Sequence, residues 1–193
     1  MFSLSKVGVS SAIARSSFFS IRTLASKGDS IPSTKLFENS PGNDVDLNQE
    51  TASGTSVIIG VPGAFSPGCT KNHIPEYLKN LDAFKGKGVE QIFVVAVNDP
   101  FVTKAWGEQL LKDNSAPTSA TEAVRFLADS TGAFTRDLGL LFDATKVFGN
   151  ERSKRYALLV RDGKVAEAFV EPDNTSVDVS AAPKVLNILQ TDI

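Results

Sequence analysis

The chain has 193 residues, 41% of them hydrophobic, with 20 Lys and Arg against 22 Asp and Glu and a formal net charge of −2. These values fit one folded domain with an extension, and no apolar run approaches the roughly 18 residues that a membrane-crossing helix needs. A single cysteine, Cys69, excludes an internal disulfide and any zinc site built from several cysteines, and the lone histidine, His73, argues against a histidine-based metal centre.

Residues 1–28 differ in kind from the rest. Lys6, Arg15, Arg22 and Lys27 are basic, serines are frequent, and no acidic residue appears before Asp29. Arg15 and Arg22 interrupt every apolar stretch that could serve as a secretory core, whereas Phe2, Leu4, Val7, Val9, Ile13, Phe18, Phe19, Ile21 and Leu24 can gather on one face of a basic helix. This is transit-peptide composition, and it predicts import into the mitochondrial matrix with cleavage between Arg22 and Gly28; a basic tail without an address is the alternative. Without the segment, 16 basic residues face 22 acidic ones, a balance that disfavours nonspecific contact with nucleic acid or anionic lipid.

In residues 29–53, alternation over Thr34–Glu38 and Asp44–Leu47 predicts a peripheral hairpin. An apolar strand follows at Thr55–Gly60, then a helix over Pro67–Lys85 with Ile74, Tyr77, Leu78, Leu81 and Phe84 at helical spacing, stopped by Gly86 and Gly88. Gln91–Val97 is apolar on both alternating sets, as a strand covered on both faces requires, which places it centrally. Asn98-Asp99-Pro100 caps a helix over Phe101–Leu111 whose apolar set is Phe101, Val102, Ala105, Trp106 and Leu110 or Leu111. A polar loop at Asp113–Ser119, a strand at Val124–Ala128 and a short helix at Gly132–Leu138 come next. A hairpin of Arg155–Arg161 with Val165–Val170 turns at Asp162-Gly163, and a helix over Ser180–Gln190 closes the chain. This alternation implies an α/β domain with a mixed central sheet.

Cys69 sits where the first apolar strand turns into a helix, in Pro62-Gly63-Ala64-Phe65-Ser66-Pro67-Gly68-Cys69. Unpaired backbone N–H groups and the positive end of the helix dipole at such a position favour thiolate over thiol. An inert buried cysteine is the bland alternative, but it has no need of a rigid turn holding two prolines and two glycines. Groups that stabilise charge on a leaving atom are also required, and the candidates are the Ser66 hydroxyl, the Gly68 and Cys69 amides and an arginine from elsewhere.

The same eight residues resemble the peroxidatic motif of the peroxiredoxins. Val97-Asn98-Asp99-Pro100-Phe101, and Phe148-Gly149-Asn150 followed by Arg155-Tyr156-Ala157, resemble the atypical type-II, peroxiredoxin-5-like branch, over roughly Ile31–Leu189. The resemblance implies a thioredoxin-like fold and a thiol peroxidase that needs no cofactor, reduces hydrogen peroxide and organic hydroperoxides, and forms a homodimer. It assigns Cys69 as the peroxidatic thiolate that becomes a sulfenic acid, Ser66 (where the family usually has threonine) as the hydroxyl that handles the peroxide proton, Pro62 as a shield, and Arg155 as the arginine that polarises the peroxide. Gly68, His73, Phe65 and Phe148 become pocket residues, and Arg152 and Lys154 solvated charges. Core packing explains Phe65 and Phe148 equally well, and His73 can also be read as the base of a cysteine hydrolase, although no orienting acid lies near it in sequence.

One departure concerns the second half of the cycle. Where two-cysteine members carry a resolving thiol, this chain has Val94 and Val179. The sulfenic acid is therefore expected to meet an external thiol, glutathione with glutaredoxin or thioredoxin. A redox sensor that oxidises at Cys69 with little turnover is the competing reading.

Overall fold

The structure, a computed structural model, describes residues 24–116 and 119–189. Residues 1–23 of the segment read as a leader, residues 117–118 of the polar loop and Gln190 at the end of the last helix lie outside the described residues.

The chain begins with the expected hairpin, β1 (Leu36–Glu38) and β2 (Asp44–Val45), and a one-turn helix α1 (Leu47–Glu50) capped by Asp46. Strand β3 (Thr55–Val61) leads through a turn to a five-residue π-helical segment, Cys69–His73, then α2 (Ile74–Lys79) and α3 (Leu81–Gly86). The continuous helix expected over Pro67–Lys85 is thus three short pieces. Its apolar spacing survives the breaks, because Ile74, Tyr77, Leu78 and Phe84 are all buried on one side.

Strand β4 (Val89–Ala96) feeds α4 (Pro100–Asp113), where Asp99 accepts from the Phe101 and Val102 amides at 3.0 Å as the N-cap. The buried stripe of α4 is Thr103, Trp106, Gly107 and Leu110, a clean i, i+3, i+4, i+7 set. Phe101, expected in that set, is 65% exposed because it lies in the first turn, beyond the end of the sheet. Next come α5 (Ala120–Ala123), β5 (Val124–Ala128), α6 (Ala133–Asp137), and a small antiparallel pair of β6 (Leu141–Asp143) and β7 (Glu151–Ser153) linked by α7 (Thr145–Phe148). Strands β8 (Tyr156–Arg161) and β9 (Lys164–Val170) form the last hairpin, in which Asp162 (φ 49°) and Gly163 (φ 74°) both take the left-handed conformation of a type I′ turn; α8 (Ala182–Ile188) ends the fold.

The described residues build a seven-stranded sheet in the order β2-β1-β5-β4-β3-β8-β9, parallel among β5, β4 and β3 and antiparallel elsewhere. Strand β4 is at its centre. Val57, Ile59, Ile92, Val94 and Leu159 pack under α2, α3, α4 and α8, while Ile58, Phe93, Val95, Leu158 and Val160 pack on the opposite face with Ile31, Leu36 and Phe134. Two cores, one on each face, explain why the central stretches of these strands, residues 57–61, 92–96 and 156–160, are free of charged side chains on both alternating sets. No helix among the described residues is long and apolar enough to cross a membrane.

The last residues of the proposed leader join the folded body. Ala25 is buried, its N–H donates to Leu138 O at 2.9 Å, and the Gly28 N–H donates to Val165 O at 2.8 Å.

Candidate active site

The site forms at the carboxyl ends of β3 and β4. Beyond Val61, Pro62 contributes no N–H, and the Ala64 N–H is held by Asn98 Oδ1 at 3.1 Å, which ties the turn to the end of β4. Phe65 takes φ 61°, a left-handed conformation that costs a non-glycine residue on the order of 1 kcal/mol. This reversal aims Ser66 inward. The Ser66 hydroxyl lies 2.9 Å from both Gly63 O and Cys69 Sγ, and the Thr70 N–H donates back to Ser66 O at 2.9 Å, which starts the helical run that carries the cysteine. From α4, Trp106 Nε1 donates to Thr70 Oγ1 at 3.0 Å and pins the run to the core.

Arg155 enters from the residue before β8. Its Nη1 lies 3.5 Å from Cys69 Sγ, and the side chain is buried. Gly68 makes that approach possible, since a Cβ there would stand 3.0 Å from Arg155 Nη2. The same Nη1 donates to His73 Nδ1 at 3.2 Å, while among the described residues no group accepts from Arg155 Nε.

A cavity of about 670 Å³ opens over this cluster. Pro62, Ser66, Gly68, Phe148 and Arg155 line it, joined by Phe142, Asp143, Ala144, Lys146, Val147, Asn174 and Thr175. Cys69 itself has no exposed surface. Its sulfur lies under the cavity floor rather than at its mouth, within hydrogen-bond distance of two groups that form the floor.

Three expectations are corrected. Phe65 does not line the cavity; it is 48% exposed on the outer side of its turn. His73 is neither a cavity wall nor a base. It is fully buried behind Arg155, Nδ1 engaged by the guanidinium and Nε2 3.1 Å from Ser180 O, so neither nitrogen is left to take a proton from sulfur. Burial, reinforced by the Arg155 charge, pulls its pKa down from 6.5 to about 4, and the ring is neutral near pH 7. Arg152 is not a solvated charge: Nη1 donates to Val97 O at 2.8 Å, Nε to Asn150 Oδ1 at 2.8 Å, and the guanidinium stacks 4.9 Å from the centroid of Phe148, bracing that cavity wall.

Two participants escaped the sequence. Ser180 and Glu171 lie behind His73, with Ser180 Oγ donating to Glu171 Oε1 at 2.7 Å. Burial pushes the Glu171 carboxyl up, but the amides of Ser180 and Asp178 and the Ser180 hydroxyl outweigh it and hold its pKa below the usual range. A lone glutamate after a strand and a serine before a helix carry no local signal of this pairing.

The chemistry follows from the donors. Sulfur carrying negative charge would accept from a guanidinium N–H and from the Ser66 hydroxyl. A protonated sulfur could instead donate to Ser66 Oγ, whose own hydrogen would turn to Gly63 O. The hydroxyl is thus a two-way proton carrier beside a nucleophile.

Residues 26–186 match the family described as Redoxin. The chain is 43% identical over 162 residues to Peroxisomal membrane associated protein 20 of Schizosaccharomyces pombe, spanning 84% of this chain and 97% of that protein. The structure of peroxiredoxin 5 from Alvinella pompejana superposes with a TM-score of 0.74 at 36% identity, covering 86% of this chain and 98% of that one. Reduced Prx3 of Vibrio vulnificus in complex with hydrogen peroxide superposes at 0.77, with 35% identity and coverage of 86% and 97%. The fold is the thioredoxin-like one, and with a buried cysteine flanked by hydroxyl and guanidinium at the strand-to-helix turn, the chain belongs to the peroxiredoxins, the thiol-dependent peroxidases of the redoxin family.

Proposed function

We propose that the chain is a one-cysteine peroxidase of the peroxiredoxin-5-like branch, reducing hydrogen peroxide and organic hydroperoxides at Cys69. The observation that carries this reading is the convergence of Ser66 Oγ and Arg155 Nη1 on one sulfur beneath a cavity floor. The thiolate attacks the nearer peroxide oxygen, the O–O bond breaks, and the leaving oxygen, its charge stabilised by Arg155, receives the peroxide proton relayed by the Ser66 hydroxyl and departs as alcohol or water. Cys69 is left as a sulfenate, which takes up a proton from solvent to become the sulfenic acid. The wall of Phe142, Val147 and Phe148 gives an organic hydroperoxide apolar surface to cover, and hydrogen peroxide needs little of the volume.

An external thiol, glutathione with glutaredoxin or thioredoxin, then attacks the sulfenic sulfur, expels water and leaves a mixed disulfide, which a second thiol reduces. No cofactor takes part. Because the sulfur is fully covered, the Cys69 turn must loosen before so large a reductant reaches it. A homodimer is supported by the apolar groups exposed around the site, Phe65 at 48%, Phe101 at 65% and Val147 at 79%. Matrix import rests on the composition of residues 1–28, and the burial of Ala25 favours a cut before it, at the early end of the window from Arg22 to Gly28.

The test is steady-state peroxide consumption at substoichiometric protein, with glutathione/glutaredoxin against thioredoxin, beside Cys69→Ser. Turnover that disappears in Cys69→Ser is expected. A single stoichiometric oxidation without turnover would make the protein a redox sensor instead.

A further inference from the structure

Behind the catalytic arginine runs a buried chain of hydrogen bonds that the reaction described above does not use. Arg155 only donates, so the 3.2 Å contact between its Nη1 and His73 Nδ1 requires Nδ1 to be the unprotonated nitrogen. The proton of the neutral ring therefore sits on Nε2, which donates to Ser180 O at 3.1 Å. Tyr77 OH donates to the same carbonyl at 2.7 Å. Ser180 Oγ, 3.2 Å from Nε2, gives its hydrogen to Glu171 Oε1 at 2.7 Å and so turns a lone pair toward the imidazole N–H. Glu171 Oε1 also collects the Asp178 and Ser180 amides at 2.8 and 2.9 Å, and the Glu171 N–H donates to Arg155 O at 3.0 Å. One network thus fixes Arg155 at both ends, side chain and main chain.

We propose that His73 is a positioning residue for the peroxidase reaction: its Nδ1 lone pair fixes the Arg155 guanidinium against Cys69 Sγ, and Ser180 with Glu171 hold the imidazole in the tautomer this requires. The choice of acceptor has a consequence. A carboxylate at this place would steer the guanidinium equally well but would offset its positive charge, which the sulfur and the departing oxygen need. A neutral imidazole orients the cation and leaves its charge intact, while the one carboxylate of the network is held a residue away, behind Ser180.

The proposal rests on the peroxidase reading, and two measurements separate its fate from that reading. His73 is the only histidine in the sequence, so nitrogen-15 spectra of the untagged, histidine-labelled full chain report its ring without assignment. The expected spectrum at pH 7 shows a protonated Nε2 and a bare Nδ1. The reverse tautomer would overturn the proposal whether or not the chain reduces peroxide. The second measurement is the rate of Cys69 oxidation by hydrogen peroxide in wild type, His73→Asn, His73→Gln and His73→Leu. Asn places its amide oxygen near the position of Nδ1, whereas Gln reaches toward that of Nε2. Gln and Leu are expected to slow oxidation on the order of 10²-fold, and Asn to recover most of that loss. Equal rates in all four proteins, or Gln serving as well as Asn, would refute the assignment, and if the Leu protein does not fold, the Asn-to-Gln ratio decides alone. A wild type that fails to oxidise sinks the peroxidase reading and leaves the spectrum to judge the placement of Arg155.

Discussion

Two arginines, one on the central sheet and one just before a strand of it, show how partners decide what a residue does. Arg125, on β5, donates to Glu38 through Nε and Nη2 at 3.0 and 2.8 Å and to Glu50 through Nη1 at 2.7 Å, and it lies 5.5 Å from the centroid of Phe93. Its charge is matched by two carboxylates, and it ties β5 to its neighbour β1 and to α1. Arg155 receives a sulfur and a neutral imidazole instead. Its cation is oriented but not neutralised, as stabilising charge that develops during a reaction requires. The first arrangement stabilises a fold; the second keeps an electrostatic field pointed at one atom.

The widest separation between the two is expected from replacing each with methionine. Arg155→Met should lower kcat/KM for hydrogen peroxide by about 10²- to 10³-fold, the loss typical of removing one preorganised donor. Arg125→Met should leave kcat/KM within about twofold and instead lower unfolding free energy by about 1–3 kcal/mol, because Glu38 and Glu50 lose their partner. Stopped-flow oxidation and urea unfolding on both proteins check this. If Arg125→Met lost activity as Arg155→Met does, the division of roles would be wrong.

Acid should destabilise the site through His73. His73 has a pKa of about 4 in the folded chain against an ordinary value of 6.5. As pH falls below 6.5 the unfolded chain takes a proton that the folded chain refuses, so stability drops, by up to on the order of 3 kcal/mol near pH 4. Glu171, held below its usual range, acts with the same sign: its contribution is present at neutral pH and is lost on acidification. Urea unfolding at pH 7 and pH 4.5, in wild type and His73→Asn, isolates the histidine, and the variant should show the shallower dependence. Identical slopes would mean that His73 does not resist protonation.

What could be read from the sequence follows from the range of the interactions. The strand, rigid turn and cysteine at Thr55–Cys69 are contiguous, and one of the two groups that act on the sulfur, Ser66, is three residues away. The Asp162-Gly163 turn and the doubly apolar β4 are local as well. The network behind Arg155 joins His73 to residues 82 and 107 positions away and has no local signature. The breaks between Cys69–His73, α2 and α3 arise because apolar spacing reports which side is buried and not how the backbone bonds along it. The role of Arg152 is hidden for a related reason, since its acceptor Val97 O is an ordinary backbone carbonyl 55 residues away that no side-chain pattern marks.

Within the site, the Ser66 hydroxyl should matter less than the guanidinium, because it carries a proton and holds no permanent charge. Ser66→Ala is expected to slow Cys69 oxidation about tenfold to 10²-fold. Ser66→Thr should stay within about threefold of wild type, since the added methyl restricts the rotamer without removing the donor. A threonine protein as slow as the alanine one would show that the 2.9 Å contact to sulfur tolerates no branching.

The smallest effect tests how firmly Arg155 is held without a carboxylate. A Cβ at Gly68 would stand 3.0 Å from Nη2, so Gly68→Ala obliges the guanidinium to yield by a few tenths of an ångström. Moving Nη2 rotates Nη1 with it, since both belong to one rigid plane, and Nη1 makes the contacts to both Cys69 and His73. A displacement of 1 Å can cost on the order of 10²-fold in rate, so this smaller one should cost about threefold to tenfold, with little change in unfolding free energy. An unchanged rate would mean that the imidazole yields together with the arginine and keeps it aimed. A loss as large as that of Arg155→Met would mean that the neutral acceptor lets go altogether, and that the precision of the site resides in the glycine as much as in His73.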